Sequence, residues 1–239
     1  AASDVYKRQV YDPATDTWAK CSGMPTGRRG LSTSVVNGKV YAIGGDNKFG
    51  PCLSTVEEYD PVKDTWIKKA DMPTARAFLS TSVVNGEIYA IGGITINKQW
   101  WNALSTVEVY NPSTDKWTKR ADMPTARTNF TTSVVNGKIY AVGGALIPPS
   151  VVSSKVEVYD PATDKWMDKA DMPTARGWLS ASEVSGTIYA IGGSTADDWL
   201  TTVEEYTPEG WPFQQSVFPR GKLPTKWGKE KGQVEPGTR

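Results

Sequence analysis

Met72–Gly93 reads MPTARAFLSTSVVNGEIYAIGG and Met123–Gly144 reads MPTARTNFTTSVVNGKIYAVGG, two stretches identical at 16 of 22 positions. Further copies begin at Met24 and Met172. The glycine pairs Gly44-Gly45, Gly92-Gly93, Gly143-Gly144 and Gly192-Gly193 are spaced by 48, 51 and 49 residues. A second marker keeps the same beat. Tyr11, Tyr59, Tyr110, Tyr159 and Tyr206 each stand two residues before a proline, followed by Trp18, Trp66, Trp117, Trp166 and, less regularly, Trp211. Self-similarity at this period identifies a repeat architecture before any strand is assigned.

Within one unit, the β-rich run Phe78 to Val84 meets Asn85-Gly86 and continues as Glu87 to Ile91. Asn-Gly between two such runs predicts a hairpin, because both central residues of a type I′ turn need positive φ. Asn37-Gly38 and Asn136-Gly137 repeat it, and the fourth unit has Ser185-Gly186. The second strand ends in Gly-Gly, which allows close backbone approach or special dihedrals. After a loop of changing length comes a third strand, Ser105 to Tyr110 in the best example. The turn Asn111-Pro112-Ser113-Thr114-Asp115 follows, with Asp115 expected to hydrogen-bond the turn backbone. A fourth strand starts at Trp117. Proline, glycine and β-branched density exclude a helical repeat, so the chain reads as all-β.

Composition narrows the function classes. The 239 residues carry 27 basic and 26 acidic side chains, a net charge of +1 spread along the chain. No basic stripe of the kind that binds nucleic acid is present. No apolar run reaches membrane-spanning length. Two cysteines occupy unrelated positions of the repeat, Cys21 at a strand edge and Cys52 in a variable loop, so no disulfide is expected. With no histidine there is no imidazole metal site and no His-based triad. No Gly-Lys-Thr phosphate loop occurs, and no cofactor is expected.

The order R-x-x-x-S-x-x-V-x-N-G-x-I-Y-A-I-G-G, V-E-x-Y-D-P, D-x-W and D-M-P resembles the kelch repeat from about Val10 to Val217. The resemblance implies blades of four antiparallel strands around a central channel, usually six or seven to a ring. The expectation for this chain is a kelch-type β-propeller of four full blades, preceded by the last two strands of another, Val10 to about Lys20: an incomplete ring. Residues 1–9 are set aside as a non-native leader. Residues 218–239, with six basic and two acidic side chains and no repeat markers, are expected to form a basic tail or linker.

Aligning the units against one another separates scaffold from variable surface. Met-Pro-Thr, the arginines 28, 76, 127 and 176, the Val-Asn-Gly hairpin, Tyr-Ala-Ile-Gly-Gly and Tyr-x-Pro…Trp recur, as packing between neighbouring repeats demands. The arginines are expected to tie neighbouring blades. Variation concentrates just after the repeated arginine and just after Gly-Gly, and in an antiparallel meander those two zones share one end of the blade. In kelch proteins the equivalent loops form the ligand surface. The residues expected to face a ligand are Arg29, Asp46, Phe49, Phe78, Trp100, Trp101, Asn129, Trp178, Asp197 and Trp199. Aromatic side chains outside the repeated core suit stacking on a sugar ring or anchoring a peptide. The alternative for Phe78 and Trp178 is that they close the mouth of the channel.

Two functions stay open on the sequence. The first is a non-catalytic recognition scaffold for a protein, peptide or glycan, built from variable loops on a rigid frame. The second is drawn from the kelch enzymes: a carbohydrate-active enzyme of the sialic-acid mutarotase type, using Asp46, Asp197, Asp198 and Arg29. A spacer within a larger protein is a third reading. Compartment and ligand are left open.

Overall fold

The computed structural model describes residues 8–47, 51–97, 100–147, 151–208 and 225–227, and of residues 8, 97, 100 and 225–227 it describes the backbone alone. No helix occurs among them. The strands are β1 (Arg8–Asp12), β2 (Thr17–Cys21), β3 (Ser32–Val36), β4 (Lys39–Ile43), β5 (Val56–Asp60), β6 (Thr65–Lys68), β7 (Ser80–Val84), β8 (Glu87–Ile91), β9 (Ile94–Asn97), β10 (Trp100–Ala103), β11 (Val107–Asn111) and β12 (Lys116–Lys119). They continue as β13 (Thr131–Val135), β14 (Lys138–Val142), β15 (Ala145–Leu146), β16 (Val151–Val152), β17 (Val156–Asp160), β18 (Lys165–Asp168), β19 (Ser180–Val184), β20 (Thr187–Ile191), β21 (Val203–Tyr206) and β22 (Thr225–Trp227).

Four four-stranded sheets result, ordered β3-β4-β5-β6, β7-β8-β11-β12, β13-β14-β17-β18 and β19-β20-β21-β22. These are the four expected blades. β1 and β2 form a two-stranded sheet ahead of them, and β1 begins at Arg8, two residues before the expected start. In the fourth sheet β22 runs parallel to β21, with Trp227 opposite Tyr206, where the first three sheets have an antiparallel Trp-bearing strand. The expected strand at Trp211 lies outside the described residues, as do residues 1–7.

The hairpin turns follow the sequence reading. Asn37, Asn85, Asn136 and Ser185 have φ of 49–51°, and each following glycine lies between 70° and 79°. The β5–β6 and β11–β12 turns differ from expectation. Asp60 and Asn111 are the residues that accept hydrogen bonds from the turn backbone, at Val62 N and Ser113 N. Asp115 instead sits at φ 53°, and its Oδ1 accepts from Ala70 N (2.9 Å), in the link leading into its own blade, and from Tyr110 Oη (2.6 Å). Asp64 does the same to Ser22 N (2.8 Å). The tryptophans next to them reach back to the same links, Trp66 Nε1 to Ser22 O and Trp117 Nε1 to Ala70 O. The D-x-W motif is thus a seam between a blade and the segment entering it.

Compactness divides the chain into two units, Ala1–Asn129 with Leu146–Ser150, and Phe130–Ala145 with Val151–Arg239. Each has its own core between blades. In the first, Val36, Tyr41, Ile43 and Val56 of one sheet pack against Ile88, Ala90 and Tyr110 of the next, with Met72 between them. In the second, Val135, Tyr140, Val142 and Val156 pack against Ile188, Ala190 and Tyr206 around Met172. Large apolar side chains on both faces of a sheet are buried only when blades stack.

The repeated arginines tie neighbours as expected, by a division of labour between backbone and side chain. Arg76 N donates to Leu53 O and Arg76 O accepts from Gly45 N, both in the preceding blade. Its guanidinium donates to Ala90 O and Thr106 O and pairs with Glu108 at 3.1 Å, all in its own blade. Arg176 repeats this with Ser153 and Gly144 behind it and Gly192, Thr202 and Glu204 ahead. Thr26 and Thr74 of Met-Pro-Thr complete each carboxylate, donating to Glu57 and Glu108 at 2.7 Å.

Candidate functional site

Two residues past each repeated arginine stand Gly30, Phe78, Asn129 and Trp178, with φ of 61°, 52°, 52° and 53°. The expected strand from Phe78 therefore starts only at Ser80. The cause is local. The residue before each ladder position is held in an antiparallel bridge to the residue after Gly-Gly, as in Arg29 with Asp46, Ala77 with Ile94 and Gly177 with Ser194. The chain must reverse from that bridge into the first strand, and a left-handed residue makes the corner. In the first unit these corners are linked from blade to blade: Phe78 N donates to Gly30 O (2.6 Å), and Asn129 N to Phe78 O (3.2 Å). Thr128 Oγ1 adds a bond to Phe78 O.

The loops beyond Gly-Gly build on these bridges. Arg29 Nε pairs with Asp46 Oδ1 at 2.9 Å; Asp46 is only 1% exposed, while the Arg29 side chain reaches solvent. β9 and β10 form an added hairpin in which Trp101 lies opposite Ile96. Ile96, Phe78 and Ile147 pack on a small core of Cys52, Ala77 and Ile94. Trp101 stays 40% exposed beside it. Cys52 is buried there and donates to Ile94 O, and burial, with Asp46 nearby, pushes its thiol pKa up. Cys21 and Cys52 are both free thiols.

In the second unit the bridge Gly177–Ser194 continues to Trp199. Thr195 Oγ1 accepts from Asp197 N and Asp198 N, and Asp198 Oδ1 accepts from Trp199 N, which shapes a tight loop with both carboxylates exposed. Trp178 and Trp199 are 56% and 78% exposed.

Of the residues singled out in the sequence, Arg29 and Asp46 are brought together as an ion pair, and Phe78 and Asn129 are joined through their backbones. Trp178, Asp197 and Trp199 lie in the segments joined by the two bridges of Ser194 in the other unit. Phe49 and the side chain of Trp100 lie outside the described residues. The ligand-facing set left out Thr128, buried behind Phe78, and Ile96, opposite Trp101, though both lie in the variable zones. Thr128 was findable as the period-equivalent of Arg29, Ala77 and Gly177. The acid–base alternative finds no support, since Asp46 is buried against Arg29 while Asp197 and Asp198 are exposed loop acids of the other unit. Among the described residues, no group of three or more His, Cys, Asp or Glu could hold a metal ion. No described helix is long and apolar enough to cross a membrane.

A family model described as the KLHDC2/KLHL20/DRC7 Kelch-repeats domain matches residues 2–193. Kelch-like protein 7 of Homo sapiens is 50% identical over 140 residues, 59% of this chain and 24% of that protein. The match thus spans about a quarter of the length of that curated relative. The Influenza virus NS1A-binding protein of Homo sapiens is 50% identical over 42 residues, 18% of this chain and 6% of that one. A solved structure, described as "Structure of YjhT", has a TM-score of 0.64 at 19% identity, covering 79% of this chain and 68% of the other, and shares the fold. With four four-stranded blades and a family match over most of its length, this chain belongs to the kelch-repeat family of β-propellers.

Proposed function

We propose that the chain is a protein-recognition scaffold whose variable loops bind a segment of a partner polypeptide. Kelch propellers typically serve as protein-interaction scaffolds, and one relative is named for binding a protein. The observation that carries the reading is where the aromatic residues lie. Repeated Tyr, Met and Ile side chains are buried between blades, whereas the loop residues Trp178 and Trp199 lie more than half in water and Trp101 is 40% exposed. Large indoles on a rigid frame give much contact area at little entropic cost and are frequent anchors of binding energy. Arg29, fixed by its buried partner Asp46, adds a positioned cation at the same kind of loop position. Ligand-contacting roles for Phe78, Asn129, Asp197, Phe49 and Trp100 belong to this proposal as well.

The test is selection of a phage-displayed random-peptide library on the purified chain, with a glycan array run in parallel. Trp101→Ala or Trp178→Ala should weaken a selected peptide by about tenfold or more. Ile67→Ala, an exposed position on β6, should leave binding unchanged. Selected peptides indifferent to both tryptophans overturn the loop assignment. Binding on the glycan array alone moves the partner class from protein to carbohydrate.

A further inference from the structure

Trp178 combines two unfavourable features. A bulky residue at φ 53° is strained, and an indole left 56% exposed gives up most of what burial would return. No hydrogen bond or ring contact holds it among the described residues. The fold requires a left-handed corner there, and glycine supplies that corner without strain, as Gly30 does at the equivalent place. Phe78 shares the conformation under different circumstances. A Cβ on Gly30 would lie 2.9 Å from Phe78 Cε1, so the Phe78 ring rests on Gly30, and it also packs against the Cys52–Ala77–Ile94 core. Phe78 is held by packing, whereas more than half of Trp178 lies in water. A strained, solvent-facing aromatic is retained for what it meets from outside.

Its surroundings indicate what that is. Gly177, the residue before Trp178, bridges Ser194, and Ser194 bridges Trp199 on its other side, so a second exposed indole is anchored one bridged segment away from the corner. The loop between holds Asp197 and Asp198 in water, and no ion pair is formed by either among the described residues. Two indole faces with two uncompensated carboxylates form a surface for a cation that also offers flat or apolar area. Arginine and lysine side chains satisfy both, through cation–π contact and charge. We infer that Trp178, with Trp199, Asp197 and Asp198, is the recognition point for an Arg or Lys side chain of the partner polypeptide. This rests on the recognition reading above and makes it specific.

Two measurements on the full chain test it. In thermal melts, Trp178→Gly should be at least as stable as the wild type and melt about 2–4 °C above Trp178→Ala, since both remove the indole and only glycine relieves the corner. A Trp178→Gly melt below that of Trp178→Ala overturns the inference, because the indole then has no strain to release. In binding, two fluorescein-labelled peptide pools differ only at a fixed central residue, Arg in one and Glu in the other. The Arg pool should bind about tenfold better at low salt, and the preference should fade at high salt, in Trp178→Gly and in Asp197→Asn/Asp198→Asn. Equal binding of the pools, or preference for Glu, overturns this inference and leaves peptide recognition standing. Failure of both pools and of the random library overturns the recognition reading together with it.

Discussion

Arg76 joins two blades through different atoms, and its energetics follow from burial. Its side chain is fully enclosed, which pushes the guanidinium down to about 10, still protonated at neutral pH, with Glu108 opposing the shift. Breaking a buried pair from one side strands the other charge. Glu108→Gln should therefore cost about 3 kcal/mol in urea unfolding. Replacing both partners by apolar residues often restores such sites, but here the guanidinium also satisfies Ala90 O and Thr106 O. The double variant Arg76→Met/Glu108→Leu should remain about 1 kcal/mol or more below the wild type, because Ala90 O and Thr106 O each lose the bond from the guanidinium, although Gly92 N still donates to Thr106 O. Full recovery in that double variant would assign the arginine to charge pairing alone. Nothing in the spelling of Met-Pro-Thr-Ala-Arg distinguishes these roles, since the acceptors come from β8 and from the start of β11.

At the scale of elements, glycines that look alike in sequence differ in what their neighbours allow. Gly86 makes the type I′ turn between β7 and β8 at φ 77°, and a Cβ added there meets nothing within 4 Å. Gly44, at φ 66°, faces Arg76 O, which a Cβ would approach to 2.5 Å. Gly86→Ala should cost about 1 kcal/mol of backbone strain. Gly44→Ala should cost at least twice as much, read from urea midpoints, because the Arg76 backbone must move and the 2.9 Å bond from Gly45 N to its carbonyl is lost. Equal costs would mean that the seam adapts freely. The hairpins themselves were legible because Asn-Gly encodes its own φ values. Asp115 was misassigned because its partner Ala70 lies 45 residues away, and a turn-forming residue type carries no signal for that.

For the molecule as a whole, the seams make stability depend on acid. Backbone donation from Ser22 and the Tyr59 hydroxyl hold Asp64 below the usual carboxylate range; the Tyr110 hydroxyl and Ala70 N–H do so for Asp115. Lys39 does the same for Asp60 and Lys138 for Asp160. A depressed native value means that the unfolded chain binds protons first on acidification. The stabilisation is complete above the unfolded aspartate value, about 3.9, and is lost as pH falls through the lower native values. Urea midpoints should be flat from about pH 5 to 8 and drop below about pH 4. Asp64→Asn with Asp115→Asn should lower the plateau and shrink the drop; an unchanged drop would place the acid sensitivity outside the seams.

The sequence by itself determined the repeat, the strand pairs, the type I′ turns and the kelch blade, because each depends on residues close together in the chain and on a period counted along it. It also marked the loops that vary. Only the tertiary structure decided that Asp64 and Asp115 staple seams, that Phe78 packs while Trp178 is exposed at the same corner, and that Asp46 is buried under Arg29. Those outcomes depend on which neighbouring strand supplies the acceptor, the covering ring or the bridge, and that is settled by how blades and loops come together in space.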